Sequence, residues 1–170
     1  YVIRVEDVPP TGRDASFELP EEMRSTLAQR FAVKNLDALI VNTRLVPLDK
    51  ECLHVTGKVQ GRVEQICGVT LEPMWTDIAQ SFSVEFQPEN MVAKFAIPDD
   101  DFETDLPEAL QDGAANIGEL AIQVFAMEIP AYPRKEGAAF DAAAASVEKA
   151  DSPFSVLANF HKASAGNDDT

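Results

Sequence analysis

The chain has 170 residues, with 14 Lys+Arg against 29 Asp+Glu for a formal net charge of −15, and ordinary apolar (45%) and charged (25%) fractions. That length allows one domain to bury its own core without staples, and two cysteines exclude a disulfide framework. No apolar run approaches the ~18–20 residues of a membrane span and nothing resembles a secretory leader, so a reducing cytoplasm is expected and a membrane partner is not.

The charge is uneven. Residues 1–98 hold ten basic and fourteen acidic residues, whereas residues 99–170 hold four and fifteen. An acidic surface repels nucleic-acid phosphates at long range and attracts basic proteins, although simple solubility accounts for it equally well.

Tyr1 to Val5 alternates weakly and predicts an edge strand, ended by the breakers Pro9-Pro10 and Thr11-Gly12. Pro20 opens a predicted helix, with Glu21 and Glu22 in its first turn and Met23, Leu27 and Phe31 at helical spacing. Three strands follow. Leu39, Val41, Thr43 and Leu45 share one face of the first, with Asn42 and Arg44 opposite. In the second, Leu53, Val55, Val59 and Val63 point one way, while His54, Thr56, Lys58, Gln60, Arg62 and Glu64 point the other. Gly57 and Gly61 fall on the apolar side, where a missing side chain allows a bulge or the close approach of a covering helix. After a reversal at Cys67–Pro73, a third strand carries Ile78, Phe82, Val84 and Phe86 inward and Asp77, Ser81 and Glu85 outward. The expected fold is α+β: a twisted antiparallel β-meander with one face covered by helices and one face wet.

Past Gln87 the composition changes. Prolines bracket the acidic run Asp99-Asp100-Asp101-Phe102-Glu103-Thr104-Asp105, which predicts a flexible acidic loop within about 88–112. It lacks the Gly and the distant Glu of a calcium loop. Asn116 is a good N-cap with Glu119 three residues on, opening a second helix through Ile117, Leu120, Ala121, Val124 and Phe125. Pro130 and Pro133 stop it, and Tyr132-Pro133-Arg134-Lys135 forms a basic extended segment. The Ala-rich stretch of about 137–151 is expected to be mobile, Pro153 to Lys162 is a short amphipathic element, and residues 163–170 form a disordered tail. The whole is expected to be a single domain over residues 1–162.

No phosphate loop, nucleophile elbow or metal-ligand spacing is present, so the sequence points to no catalytic residue, no metal and no cofactor. The wet sheet face offers Arg44, Lys58 and Arg62, with His54, as a modest cationic patch, diluted by Glu64, Asp77 and Glu85. Solvated charge is also what any half-buried antiparallel sheet requires on its outer face.

The reversal Cys67-Gly68-Val69-Thr70-Leu71-Glu72-Pro73 resembles the Cys-x-x-Cys-Leu-Glu-Pro stretch of the YceD family, the large ribosomal RNA subunit accumulation proteins, in its alphaproteobacterial form. Asp112-Gly113 and Asn116-Ile117-Gly118-Glu119-Leu120 are similar to the family's Asp-x-Gly and Asp-Leu-Gly-Glu-Leu segments. Tyr132-Pro133 and Pro153-Phe154 follow in the family's order, so the resemblance spans roughly residues 36–162. It implies a non-enzymatic role in 23S rRNA accumulation and large-subunit assembly, with 23S rRNA or a precursor particle as partner. Thr70 stands where many members have a second cysteine, so a thiol pair is not expected and Cys67 is read as a small packing residue. Two function classes stay open: an RNA-binding assembly factor using Arg44, Lys58 and Arg62 with support from Arg134 and Lys135, and an acidic module that shields a basic ribosomal protein.

Overall fold

The computed structural model describes residues 1–94 and 106–139. Asp99–Asp105, most of the Ala-rich stretch, Pro153, Phe154 and the tail lie outside the described residues. The chain divides into two units, Tyr1–Lys135 and Glu136–Thr170, and only residues 136–139 of the second are described.

In the first unit, β1 (Val2–Arg4) runs into a 3-10 turn (Val5–Asp7), followed by β2 (Arg13–Glu18) and α1 (Glu21–Arg30). Three long strands come next: β3 (Asn35–Pro47), β4 (Leu53–Ile66) and β5 (Pro73–Pro88). A short helix α2 (Glu89–Val92), the strands β6 (Glu108–Leu110) and β7 (Ala114–Asn116), and helix α3 (Ile117–Met127) complete it. The fold is α+β. Its main sheet has the order β2-β3-β4-β5-β6, antiparallel from β2 to β5, with β6 parallel to the end of β5. That parallel strand makes the sheet mixed where a pure meander was expected.

The period-two pattern of β3 and β4 survives intact. Leu39, Val41, Leu45, Leu53, Val55, Val59 and Val63 are all fully buried, while Asn42, Arg44, Lys58 and Arg62 face solvent. Two core regions lie over this dry face. One packs Leu27 and Ala28 of α1 and Ala121 and Phe125 of α3 against β3 and β4. The other gathers Ile3, Val5 and Val8 with Leu45, Leu53, Val55, Phe86 and Ile117. Gly61 lies under α3: a Cβ there would sit 2.8 Å from the Phe125 ring and collide with the Ala38 carbonyl. Gly57 is likewise covered by the Phe82 ring, so the glycines are slots for aromatic rings.

Two expectations need correction, and two strands lie where the sequence did not place them. The expected strand at Tyr1–Val5 is present as β1, but it pairs with β7 in a separate two-stranded sheet, Ile3 opposite Ala115. Met23 is 51% exposed, since α1 is only ten residues long and turns its C-terminal half, Leu27 and Ala28, to the sheet. Strand β2 was unforeseen and pairs along β3 from Arg13–Leu45 to Glu18–Ile40. Finally, α2 and β6 both fall inside the span read as an acidic loop. The second helix begins as expected: the Asn116 side chain accepts the Glu119 N–H at 3.1 Å. The Glu119 carboxylate takes no part in a capping box and pairs instead with Arg30 of α1 at 2.9 Å, which holds it below the usual carboxylate range.

Candidate nucleic-acid interface

The wet face is defined by the register. Asn42 lies opposite Lys58 and Arg44 opposite Thr56, while on the other side of β4 Lys58 faces Ser81, Arg62 faces Asp77 and Glu64 faces Trp75. The three cations therefore form a diagonal line. Lys58 and Arg62 are four residues apart on one strand, about 13 Å. Two of them are already engaged. Arg44 pairs with Asp14 at 2.8 Å and donates to the Thr11 carbonyl, and Arg62 pairs with Asp77 at 3.5 Å. Glu64 dilutes the line less than its position suggests, because Lys34 takes it at 3.2 Å. His54 hydrogen-bonds Ser83 at 2.9 Å. Lys58 is exposed and has no ion-pair partner among the described residues.

One side chain of this face went unread in the sequence. Trp75, the only tryptophan of the chain, is 40% exposed, and the Arg62 guanidinium lies over its ring, 5.0 Å from the centroid. Its outward direction follows from odd parity on β5 once that strand is known to begin at Pro73. Placing the reversal over Cys67–Pro73 and starting the periodic pattern at Ile78 left Trp75 without a face.

The reversal and the basic segment form a second, linked region. Between β4 and β5 the chain closes through Leu71 N–H to the Cys67 carbonyl and Cys67 N–H to the Glu72 carbonyl, both 2.9 Å, with Leu71 at φ 58. Residues 130–135 lie along this turn. Gln65 donates to the Pro130 carbonyl at 2.9 Å, Gly68 N–H to the Pro133 carbonyl at 2.9 Å, and Lys135 Nζ pairs with Glu72 at 2.7 Å. The ammonium holds the Glu72 carboxyl below its ordinary value, by hydrogen bond first and charge second. Cys67 sits between the two segments, fully buried. Its Sγ accepts the backbone N–H groups of Thr70 and Lys135, each at 3.4 Å. The Thr70 side chain and these donors bring the thiol down to about 6. Cys67 thus packs as expected, and it also serves as an acceptor that ties two distant segments together.

The remaining motif residues do structural work. Gly113 takes φ 74 in the turn before β7, and Gly118 lets the Tyr1 backbone approach, its N 2.7 Å from where a Cβ would be. Leu120 is buried in the core. Pro73 opens β5, and Pro133 supplies the carbonyl that Gly68 binds. Leu71 and Tyr132 are outward, 77% and 87% exposed, and Arg134 is exposed beside Tyr132. Among the described residues no three His, Cys, Asp or Glu side chains come together to hold a metal ion. Among the same residues no helix is long and apolar enough to cross a membrane.

These features define a compact α+β unit whose sheet has one face covered by helices and one left to solvent. The family model of the large ribosomal RNA subunit accumulation protein YceD matches residues 55–161, inside the span that the motifs suggested, and the chain belongs to that family. Comparison with curated proteins and with solved structures returns no match.

Proposed function

We propose that the chain is a non-enzymatic ribosome biogenesis factor acting in the cytoplasm. It supports 23S rRNA accumulation and large-subunit assembly by touching rRNA or a pre-ribosomal particle through the wet face of β3–β5. Family membership supports the biogenesis role. The observation that carries the RNA contact is the Arg62–Trp75 pair on the same face as Lys58, which lies four residues back along β4 and has no ion-pair partner among the described residues. An exposed indole under a guanidinium is a platform on which an unstacked base can lie, and aromatic stacking of this kind tolerates any base. Lys58 adds a phosphate contact. Global repulsion at −15 does not forbid it, because charges beyond the Debye length of ~8 Å at physiological salt are largely screened. Arg44 and Arg134 lend support from the flanks, and Lys135 contributes least because Glu72 holds it.

The test is filter binding of the full chain to 23S rRNA fragments across a salt series. Lys58→Ala with Arg62→Ala is expected to weaken binding across many RNA sequences and to flatten the salt slope by about one unit per lost phosphate contact. Trp75→Ala is expected to weaken binding with the slope unchanged. Folded variants that bind with unaltered affinity and slope overturn the reading.

A further inference from the structure

Among the described residues the main sheet ends in the six-residue β2 on one side and, on the other, in a β5 that the three-residue β6 covers only in part. Strand β5 runs sixteen residues, and β6 covers only Phe86, Gln87 and Pro88 of it. From Pro73 to Glu85 no strand among the described residues pairs with its outer edge. Alternate N–H and C=O groups of a strand point to each side, so half of the backbone polar groups over this stretch have no ladder partner among the described residues. Edges of this length are ordinarily blunted by a lysine, a proline or a bulge. Here β5 carries no Lys, Arg or interior Pro, and its register against β4 is unbroken.

Alongside the last third of that edge lies a groove of about 590 Å³, between Gln80–Gln87 of β5, the start of β6 and the C-terminal end of α3. Its apolar side is formed by Phe82, Val84, Val124, Leu106 and Met127, the last two 47% and 81% exposed. Its charged groups are Glu85, Glu108 and Glu128, and the lining includes His54 but no Lys or Arg. The two characters fall on opposite faces of the strand. Phe82 and Val84 lie on the helix side with Val124 and Met127, whereas Ser81, Ser83 and Glu85 lie on the wet side.

We propose that this groove takes an extended basic peptide segment of another protein, added as a strand to the outer edge of β5. Strand addition draws affinity from main-chain hydrogen bonds and specificity from alternate side chains. A peptide alternating apolar and cationic residues meets both demands: its apolar side chains cover Val84, Val124 and Met127, and its Lys or Arg side chains reach the three carboxylates. The groove adjoins the wet face at Ser81, Ser83 and Glu85, but its carboxylates repel an RNA phosphate backbone, so the peptide proposal does not rest on the RNA contact.

The experiment uses the full chain at physiological salt and fluorescence anisotropy of a labelled peptide of roughly ten alternating Lys and Val residues. Saturable binding is expected, at least about tenfold weaker for the same peptide with alternate amides N-methylated, which removes ladder bonds without changing charge. A Glu85→Lys, Glu108→Lys, Glu128→Lys chain is expected to lose the Lys–Val peptide and accept a Glu–Val peptide. The N-methylated arm keeps the test valid even if the triple change unfolds the chain. Hydrogen exchange of the free chain reads the occupant directly: alternate amides of residues 80–85 are expected to exchange freely until peptide is added. No binding, or binding indifferent to N-methylation, overturns the proposal. Protection of those amides in the free chain at every concentration assigns the edge to a segment of the chain itself. Protection that grows with protein concentration assigns it to a second copy, and either result also overturns it.

Discussion

Strand β4 ends in a buried free cysteine at each turn, and the two thiols are pushed in opposite directions. At the β3–β4 turn, Cys52 sits beside Asp49, whose carboxylate accepts the N–H groups of Glu51 and Cys52 at 2.7 and 2.6 Å. Burial pushes the Cys52 thiol up, and the neighbouring carboxylates of Asp49, Glu51 and Glu85 push it further. At the β4–β5 turn the donors point at the sulfur instead, and Cys67 comes down to about 6 from the ordinary thiol value of 9.0. The difference teaches that burial alone does not set a thiol's acidity. What decides is what faces the sulfur: at Cys67 the Thr70 side chain first and backbone N–H groups second outweigh burial, whereas at Cys52 carboxylates add to it.

The largest effect that breaks this comparison lies between the turns. Gly61→Ala drives a methyl into the Phe125 ring and the Ala38 carbonyl, and it is expected to destabilise by about 3 kcal/mol or more in urea unfolding. Phe125→Ala, which empties the same slot, is expected to cost about 3–5 kcal/mol. Either change loosens the frame that holds both turns, so both thiols should drift toward ordinary values. Next comes Cys67→Ala, which leaves two N–H groups without their acceptor. It is expected to lower Tm by roughly 3–6 °C, whereas Cys52→Ala, with Asp49 still serving its turn, should change Tm by less than half as much.

The pH dependence sharpens the comparison further. For Cys67 the folded value lies below the unfolded one, so between about pH 6 and 9.0 the unfolded chain holds a proton that the folded chain has released. Its contribution is fully present above 9.0 and is lost as pH falls through about 6. Cys52 is raised, so its contribution is present below 9.0 and lost as pH climbs through its folded value. Thiolate absorbance of single-cysteine variants should show Cys67 half-ionised near pH 6 and Cys52 still protonated at pH 9.0. The smallest expected effect is Lys135→Ala. The Glu72 carboxyl should return upward in an NMR titration while Tm stays within about 2 °C, because the pair is largely exposed.

How much of this was legible depends on which interactions carry each element. Strands β3 and β4 declare themselves because one face of each is buried along its full length, forcing strict alternation from Leu39 to Val63. The Asn116 cap is equally plain, since capping is local chemistry. By contrast β2 has only Ala15 and Phe17 in phase between breakers, and β7 is Ala114-Ala115-Asn116, with no β-branched residue at all. These strands exist because β3 and β1 offer them edges, which no local pattern can announce. The same holds at the interface. Arg44, Lys58 and Arg62 were found on the face expected, but their ion pairs with Asp14 and Asp77, and the indole under Arg62, depend on register between strands. The role of Cys67 was hidden for a stronger reason, because one of its donors is Lys135.

That donor also gives the turn a clock. The Lys135 N–H to Cys67 Sγ bond spans 68 positions. During synthesis at roughly 5–20 residues per second, the complete β4–β5 hairpin precedes residue 135 by about 2–9 seconds. Throughout that interval the sulfur has Thr70 but not Lys135, and Glu72 lacks its ammonium. A nascent chain therefore presents a less acidic, less covered thiol than the finished protein. A thiol-reactive dye applied to stalled chains of increasing length would record the moment when residues 130–135 close over the turn.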